Sequence, residues 1–195
     1  KHNIKYILTG GNYATECIRN PLEWMWYQSD SIQLRDIHKK FGTVPLKKFP
    51  VTNILWHKFY LPYVRGIKLN RPLDFIEYDK ENATQELERV YGYQRYPQKH
   101  FESRFTRFYE SYWLPERFGY DTRKVQFSSL ILTGQMTREE ALEELKKKPY
   151  DESTIHQDIE YIATKLGITV EELNGYMTME KKTHKDYSHR RVFSY

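Results

Sequence analysis

The chain has 195 residues, enough for one large or two small domains with a buried core. Its net charge of +5 and isoelectric point near 9.0 favour an anionic partner (nucleotide, acidic sugar, nucleic acid or acidic protein), and its 16% aromatic content predicts a core of large rings with polar handles. The single cysteine, Cys17, excludes an intramolecular disulfide framework and a cysteine-only metal site, so a reducing cytoplasm is the expected compartment; no apolar run approaches the roughly 20 residues of a bilayer span, and no membrane partner is expected.

Residues 4–9 (IKYILT) read as a short buried strand that runs into Gly10-Gly11-Asn12. Glycines beyond the carboxyl end of a strand let backbone approach a ligand, with Asn12, Thr15 and Glu16 placed to hydrogen-bond it; a tight exit turn is the plainer reading. The chain begins with Lys1, almost on this strand, and is expected to be an N-terminally truncated piece of a longer protein. Trp24 and Trp26 read as core packing or the roof of a pocket. Residues 31–41 predict an amphipathic helix capped by Ser29 or Asp30 and closed by Gly42. A helix over 51–64 is bent or ended by Pro62, and LDFIEY at 73–78 alternates like a half-buried strand, a pre-helix loop being the alternative. Asp79 caps a helix that stops at Gly92.

The densest stretch follows. Lys99, His100, Glu102, Ser103, Arg104 and Arg107 are interleaved with Phe101, Phe105, Phe108 and Tyr112, whose i, i+4, i+7, i+11 spacing predicts one apolar helical stripe. Cations and free N–H groups near that helix start suit a phosphate or carboxylate, while a solvated charged face is the plainer alternative. Further helices are predicted over 120–132 with Asp121 as cap, after the capping boxes Thr137-x-x-Glu140 and Thr169-x-x-Glu172, and over 151–166 ahead of Gly167. Residues 178–195 read as a polar, basic tail. His184 and His189 stand five apart without cysteines or a convincing acidic cluster, so no metal site is expected.

Read together, ILTGGNYATE at 7–16, IHKKFG at 37–42, KHFESRFTRFYESYWLPERFG at 99–119 and SSLILTGQMTREEALEEL at 128–145 resemble the N-acetyl sugar amidotransferases of surface-polysaccharide (LPS, O-antigen) biosynthesis. The resemblance implies a PP-loop ATP pyrophosphatase in which ATP with Mg2+ activates an acetamido oxygen and ammonia displaces it, giving an acetamidino group. It also implies two partners supplying the ammonia, a glutaminase subunit and a cyclase-like subunit. The family's SGG-x-DS phosphate motif is absent here, so the chain is expected to be the C-terminal half of such an enzyme, inactive alone and without bound nucleotide. The fold expected is mainly α with a small α/β portion: residues 1–78 the end of a PP-loop (adenine-nucleotide α-hydrolase-like) domain, 79–177 a helical region, 178–195 the tail. An exposed strand edge near residues 6–8 offers a route to self-association.

On the same resemblance, Lys99, His100, Glu102 and Arg107 are the catalytic candidates, the cations for developing negative charge and His100 or Glu102 for proton transfer. Thr9, Gly10 and Asn12 match a TGHN-type nucleotide turn in which Gly11 replaces the histidine. Ser103, Arg123, Lys124, Ser128 and Gln135 are substrate-side candidates. The 99–107 stretch is expected to meet Gly10-Gly11-Asn12 in one cleft. Two other functions compete: a nucleic-acid module using Arg104, Arg107, Tyr109 and Trp113, and a docking domain for partner subunits.

Overall fold

The computed structural model describes residues 3–96 and 101–190. In chain order these form β1 (Tyr6–Leu8), α1 (Tyr13–Glu16), α2 (Ser31–Phe41), a π-helical segment (Trp56–Val64), β2 (Lys68–Asn70), a 3-10 turn (Pro72–Phe75) and α3 (Lys80–Tyr91). Then come α4 (Arg104–Arg107), a second π-helical segment (Phe108–Trp113), α5 (Leu114–Phe118), α6 (Arg123–Leu132), α7 (Arg138–Lys146), α8 (Ile155–Leu166), α9 (Val170–Thr178) and a 3-10 turn (His184–Asp186). The described residues are therefore mainly helical, as expected. The chain divides into two units, one of Lys1–Gly10, Asn20–Pro72 and Lys181–Tyr195, the other of Gly11–Arg19 and Leu73–Glu180.

In the first unit β1 and β2 pair in parallel, Tyr6 opposite Lys68 and Leu8 opposite Asn70. Parallel strands are ordinarily covered on both faces; here Tyr6, Ile7 and Leu8 are all exposed, Leu8 at 71%. β2 is three residues of mixed polarity, too short to carry an alternation, and exists because Lys68 N–H donates to Lys5 O (2.7 Å) and Thr9 N–H to Asn70 O (3.0 Å). The helix expected over 51–64 appears as a π-helical segment with Pro62 inside it. A wider turn relieves the clash and the lost donor that proline brings to a regular α-helix. α2 is capped by the Asp30 carboxylate, which accepts from Ile32 N–H and Gln33 N–H. Segment 184–190, within the stretch read as a tail, is tied along α2: Lys40 Nζ donates to Asp186 O, Ser188 N–H to Asp36 and Arg190 N–H to Asp30.

In the second unit Phe108, Ile162, Ala163 and Leu173 form the core, with Tyr112, Trp113, Ile159 and Val170 packed around them. The predicted stripe is only half realised. The π turns from Phe108 shift the register away from 3.6 residues per turn, so Phe108 is buried while Phe105 is 50% exposed and stacks on Tyr109 instead. Residues 73–78 do not make a strand; the segment opens in the 3-10 turn and leads into Asp79, whose carboxylate accepts from Asn82 N–H to cap α3. α3 ends on Gly92 at φ +65°, a left-handed position that a side chain would strain.

Charge is divided unevenly between the units. The first holds 16 Lys and Arg against 4 Asp and Glu, net +12; the second holds 15 against 22, net −7.

Candidate functional site

The second unit contains a cavity of about 500 Å³ between α1, the two ends of α3 and α6. Its walls begin with the short α1, whose start is fixed by Asn12: the buried side-chain oxygen accepts from Thr15 N–H at 2.8 Å and Thr15 Oγ1 at 3.1 Å. α1 is pinned to α6 and its C-terminal turn. Ile18 N–H donates to Ser129 Oγ at 3.1 Å, and Thr133 Oγ1 donates to Ala14 O at 2.7 Å. Gln135 then joins three elements, accepting from Lys80 N–H (3.0 Å) and donating to Ala14 O (3.3 Å).

Four rings line the cavity: Tyr78 before α3, Tyr93 and Tyr96 after it, and Phe127 on α6. Among the described residues the charged lining consists of Glu16, Asp79, Glu81 and Glu102 against Lys80 and Arg95. Arg95 is held by Glu81 and Glu88 at 3.0 and 3.1 Å. Those hydrogen bonds, Glu81 first, keep its guanidinium still more firmly protonated, and the same contact with Arg95, followed by Gln85, holds Glu81 below the usual carboxylate range. The described lining thus carries more negative than positive groups, and its Arg95 is already paired.

Of the residues singled out from sequence, Asn12, Thr15, Glu16, Glu102 and Gln135 come together on this cavity. Lys99 and His100 lie outside the described residues. Arg107 is not in its lining: it meets the buried Asp158 through Nη2 at 2.7 Å and Nε at 3.1 Å, and Arg104 reaches the same carboxylate at 2.6 Å while lying over the Tyr161 ring. Ser103 caps α4 by accepting from Thr106 N–H. Arg123 is buried, clasping Asp121 at 2.7 Å and donating to Glu144 O. Ser128 donates to Lys124 O one turn back along α6. Thr9 and Gly10 belong to the first unit and Gly11 and Asn12 to the second. Asn12 caps the four-residue α1, its side chain accepting from Thr15 N–H.

Sequence reasoning missed the rings. Tyr93 and Tyr96 sit in the aromatic run directly ahead of Lys99, and that density was the available signal; Tyr78 and Phe127 become partners of theirs only through the tertiary fold.

The first unit has a second cluster. Trp26 stacks on His184 with ring centroids 4.2 Å apart, His189 stands edge-on to both, and Trp26 Nε1 donates to Asp30 at 3.0 Å. His184 Nδ1 is buried without a hydrogen-bond partner. Burial, then His189 and Lys185, push the His184 imidazole below its ordinary pKa. Among the described residues no group of three or more His, Cys, Asp or Glu side chains is arranged for a metal, and no helix is long and apolar enough to cross a membrane.

The cavity is ring-lined and polar, and its volume would admit a monosaccharide or a nucleoside. Residues 102–195 match the family described as LPS biosynthesis protein WbpG-like, C-terminal domain. That similarity to the C-terminal domain of an LPS biosynthesis protein covers just under half of the chain. No curated protein and no solved structure matches the chain.

Proposed function

We propose that this chain is the acceptor-sugar half of an ATP-dependent amidotransferase that converts an acetamido group on a sugar to an acetamidino group, with ammonia from a glutaminase and a cyclase-like partner subunit. The observation that carries the reading is the coincidence of the WbpG-like match at 102–195 with a ring-lined cavity whose walls include Glu102. Tyr and Phe faces stack on the apolar face of a pyranose, and amides and carboxylates take its hydroxyls.

In the net exchange the nitrogen of ammonia bonds to the acetamido carbon and gives up one proton, while the carbon–oxygen bond breaks and the oxygen would depart on the group that ATP transfers to it. Glu102, on an exposed turn beside the cavity, is positioned to accept that proton, and His100 is the neighbouring candidate in sequence. ATP, where bound, supplies the activation of the oxygen. Its grip is assigned to a glycine-rich loop outside this chain. The test is amidotransfer by the full-length enzyme with an N-acetyl sugar, ATP and ammonium, read by mass spectrometry as replacement of oxygen by NH. Glu102→Gln should lower the rate tenfold or more, about 1.4 kcal/mol per decade; a wild-type rate overturns the role of Glu102, and no exchange by the wild type overturns the reaction.

The nucleic-acid alternative finds less support. Arg104 and Arg107 are engaged by Asp158, and Trp113 packs against the core.

A further inference from the structure

Resting on the amidotransfer reading, we infer that the cavity of the second unit is selective for a cation and receives the acetamidino group as its amidinium. The sequence led to the opposite charge, an anion gathered by Lys99 and Arg107; Lys99 lies outside the described residues, and Arg107 is bound to Asp158. Among the described residues the charged lining has four carboxylates and two cations, and one of those cations, Arg95, is shared between Glu81 and Glu88. The unit as a whole carries 22 acidic against 15 basic side chains. A phosphate or sugar carboxylate entering there meets excess negative charge.

An amidinium is planar and delocalised, with N–H groups in the same fork that lets guanidinium grip a carboxylate through two hydrogen bonds. Its face also stacks on aromatic rings, which attract cations through their electron-rich faces. Tyr78, Tyr93, Tyr96 and Phe127 supply rings, and Glu102 supplies a carboxylate that neither caps α3, as Asp79 does, nor pairs with Arg95, as Glu81 does. The acetamido group is the neutral isostere of the amidine, so this lining separates the two by charge alone. The consequence is a site that holds the product side of the exchange more tightly than the acetamido side.

The experiment is titration of the whole chain with acetamidinium chloride, acetamide and sodium acetate at matched ionic strength, followed by protein-observed NMR. Acetamidinium should bind at least tenfold more tightly than acetamide, acetate should not bind, and Glu102→Gln should remove most of the preference. Because Glu102 stands on an exposed turn, the variant is expected to fold; an unchanged amide spectrum outside the cavity checks this. Equal affinity for acetamide and acetamidinium overturns the inference, as does a preference that Glu102→Gln leaves intact. Oxygen-for-nitrogen exchange by the full-length enzyme without any amidinium preference overturns the inference and leaves the reaction standing. Preference without exchange supports the charge selection and overturns the reaction.

Discussion

Arg107 reaches 51 residues along the chain to Asp158 and binds it through two nitrogens, Nη2 to Oδ1 at 2.7 Å and Nε to Oδ2 at 3.1 Å. Arg104 takes the same Oδ1 from one turn earlier at 2.6 Å. Asp158 has 6% of its side chain exposed, the guanidiniums 38% and 37%, so an almost fully buried carboxylate fixes α8 against the helix that starts at Arg104. Removing one member of a fully buried pair costs about 3–5 kcal/mol, and solvent screening of the half-exposed arginines lowers that to roughly 2–3 kcal/mol for Asp158→Ala. Urea denaturation followed by circular dichroism measures it. A loss below about 0.5 kcal/mol, the scale of an ordinary surface change, would refute the clamp.

Gln135 was a substrate candidate from sequence, and both ends of its amide are engaged by backbone at the cavity wall. Gln135→Leu should speed hydrogen exchange at Lys80 N–H and, on the proposed function, weaken sugar binding through the shape of the cavity. Unchanged exchange at Lys80 would argue that the side chain acts on ligand directly.

The hold of segment 184–190 on α2 should loosen on acidification in two stages. Burial, with His189 and Lys185, keeps the His184 pKa below its ordinary 6.5. For Asp30, burial raises the pKa, but hydrogen bonds from Arg190 N–H, the Trp26 indole, Ile32 N–H and Gln33 N–H together outweigh it and leave the carboxyl below 3.8. In both cases the folded state favours the deprotonated form. The contribution is therefore complete above the unfolded pKa and is lost as pH falls through the folded one. The His184 stage begins as pH drops below 6.5 and the Asp30 stage below 3.8. Exchange of the Ser188 and Arg190 amides, corrected for intrinsic rates, should rise between about pH 7 and 5, and His184→Phe should abolish that first stage. Flat protection across this range in the wild type would be the contrary result.

The edge strand makes its own prediction. With Tyr6, Ile7 and Leu8 exposed and β1 paired to β2 on one side, the chain should self-associate as concentration rises. Sedimentation velocity should detect it, and Leu8→Lys should shift the chain to monomer. Association unchanged by Leu8→Lys would move the contact elsewhere.

What could be read from the sequence was local. Asp30 and Gly42 bound α2, Asp79 and Gly92 bound α3, and Thr137 and Thr169 make reciprocal capping boxes with Glu140 and Glu172, because these contacts span three or four residues and leave a fixed spacing. Thr169→Ala should accordingly cost about 1 kcal/mol in the same urea experiment, since the cap starts the helix that carries the buried Leu173. The expected helix spacing failed at Phe108, where π turns replace α turns, and the alternation of residues 73–78 misled because a 3-10 turn occupies their start. β2 was unreadable, since its three residues are a strand only by pairing with β1 some 60 positions away. For the cavity, Asn12, Glu102 and Gln135 were singled out from their chemistry, yet the charge of the lining was not. It depends on Arg107 finding Asp158 and Arg95 finding Glu81, pairings set by tertiary contact.

The uneven division of charge has a practical outcome for anyone handling the chain. A net +5 and an isoelectric point near 9.0 advise a cation exchanger at neutral pH, but one unit at +12 and another at −7 let both kinds of resin find a binding face. Retention on anion-exchange media at low ionic strength, against the sign of the whole molecule, follows from local fields that extend about 10 Å at 0.1 M salt. A modest rise in salt should then release the chain from the weaker of the two attachments first, the acidic one, and elution order would read out the asymmetry without a structure.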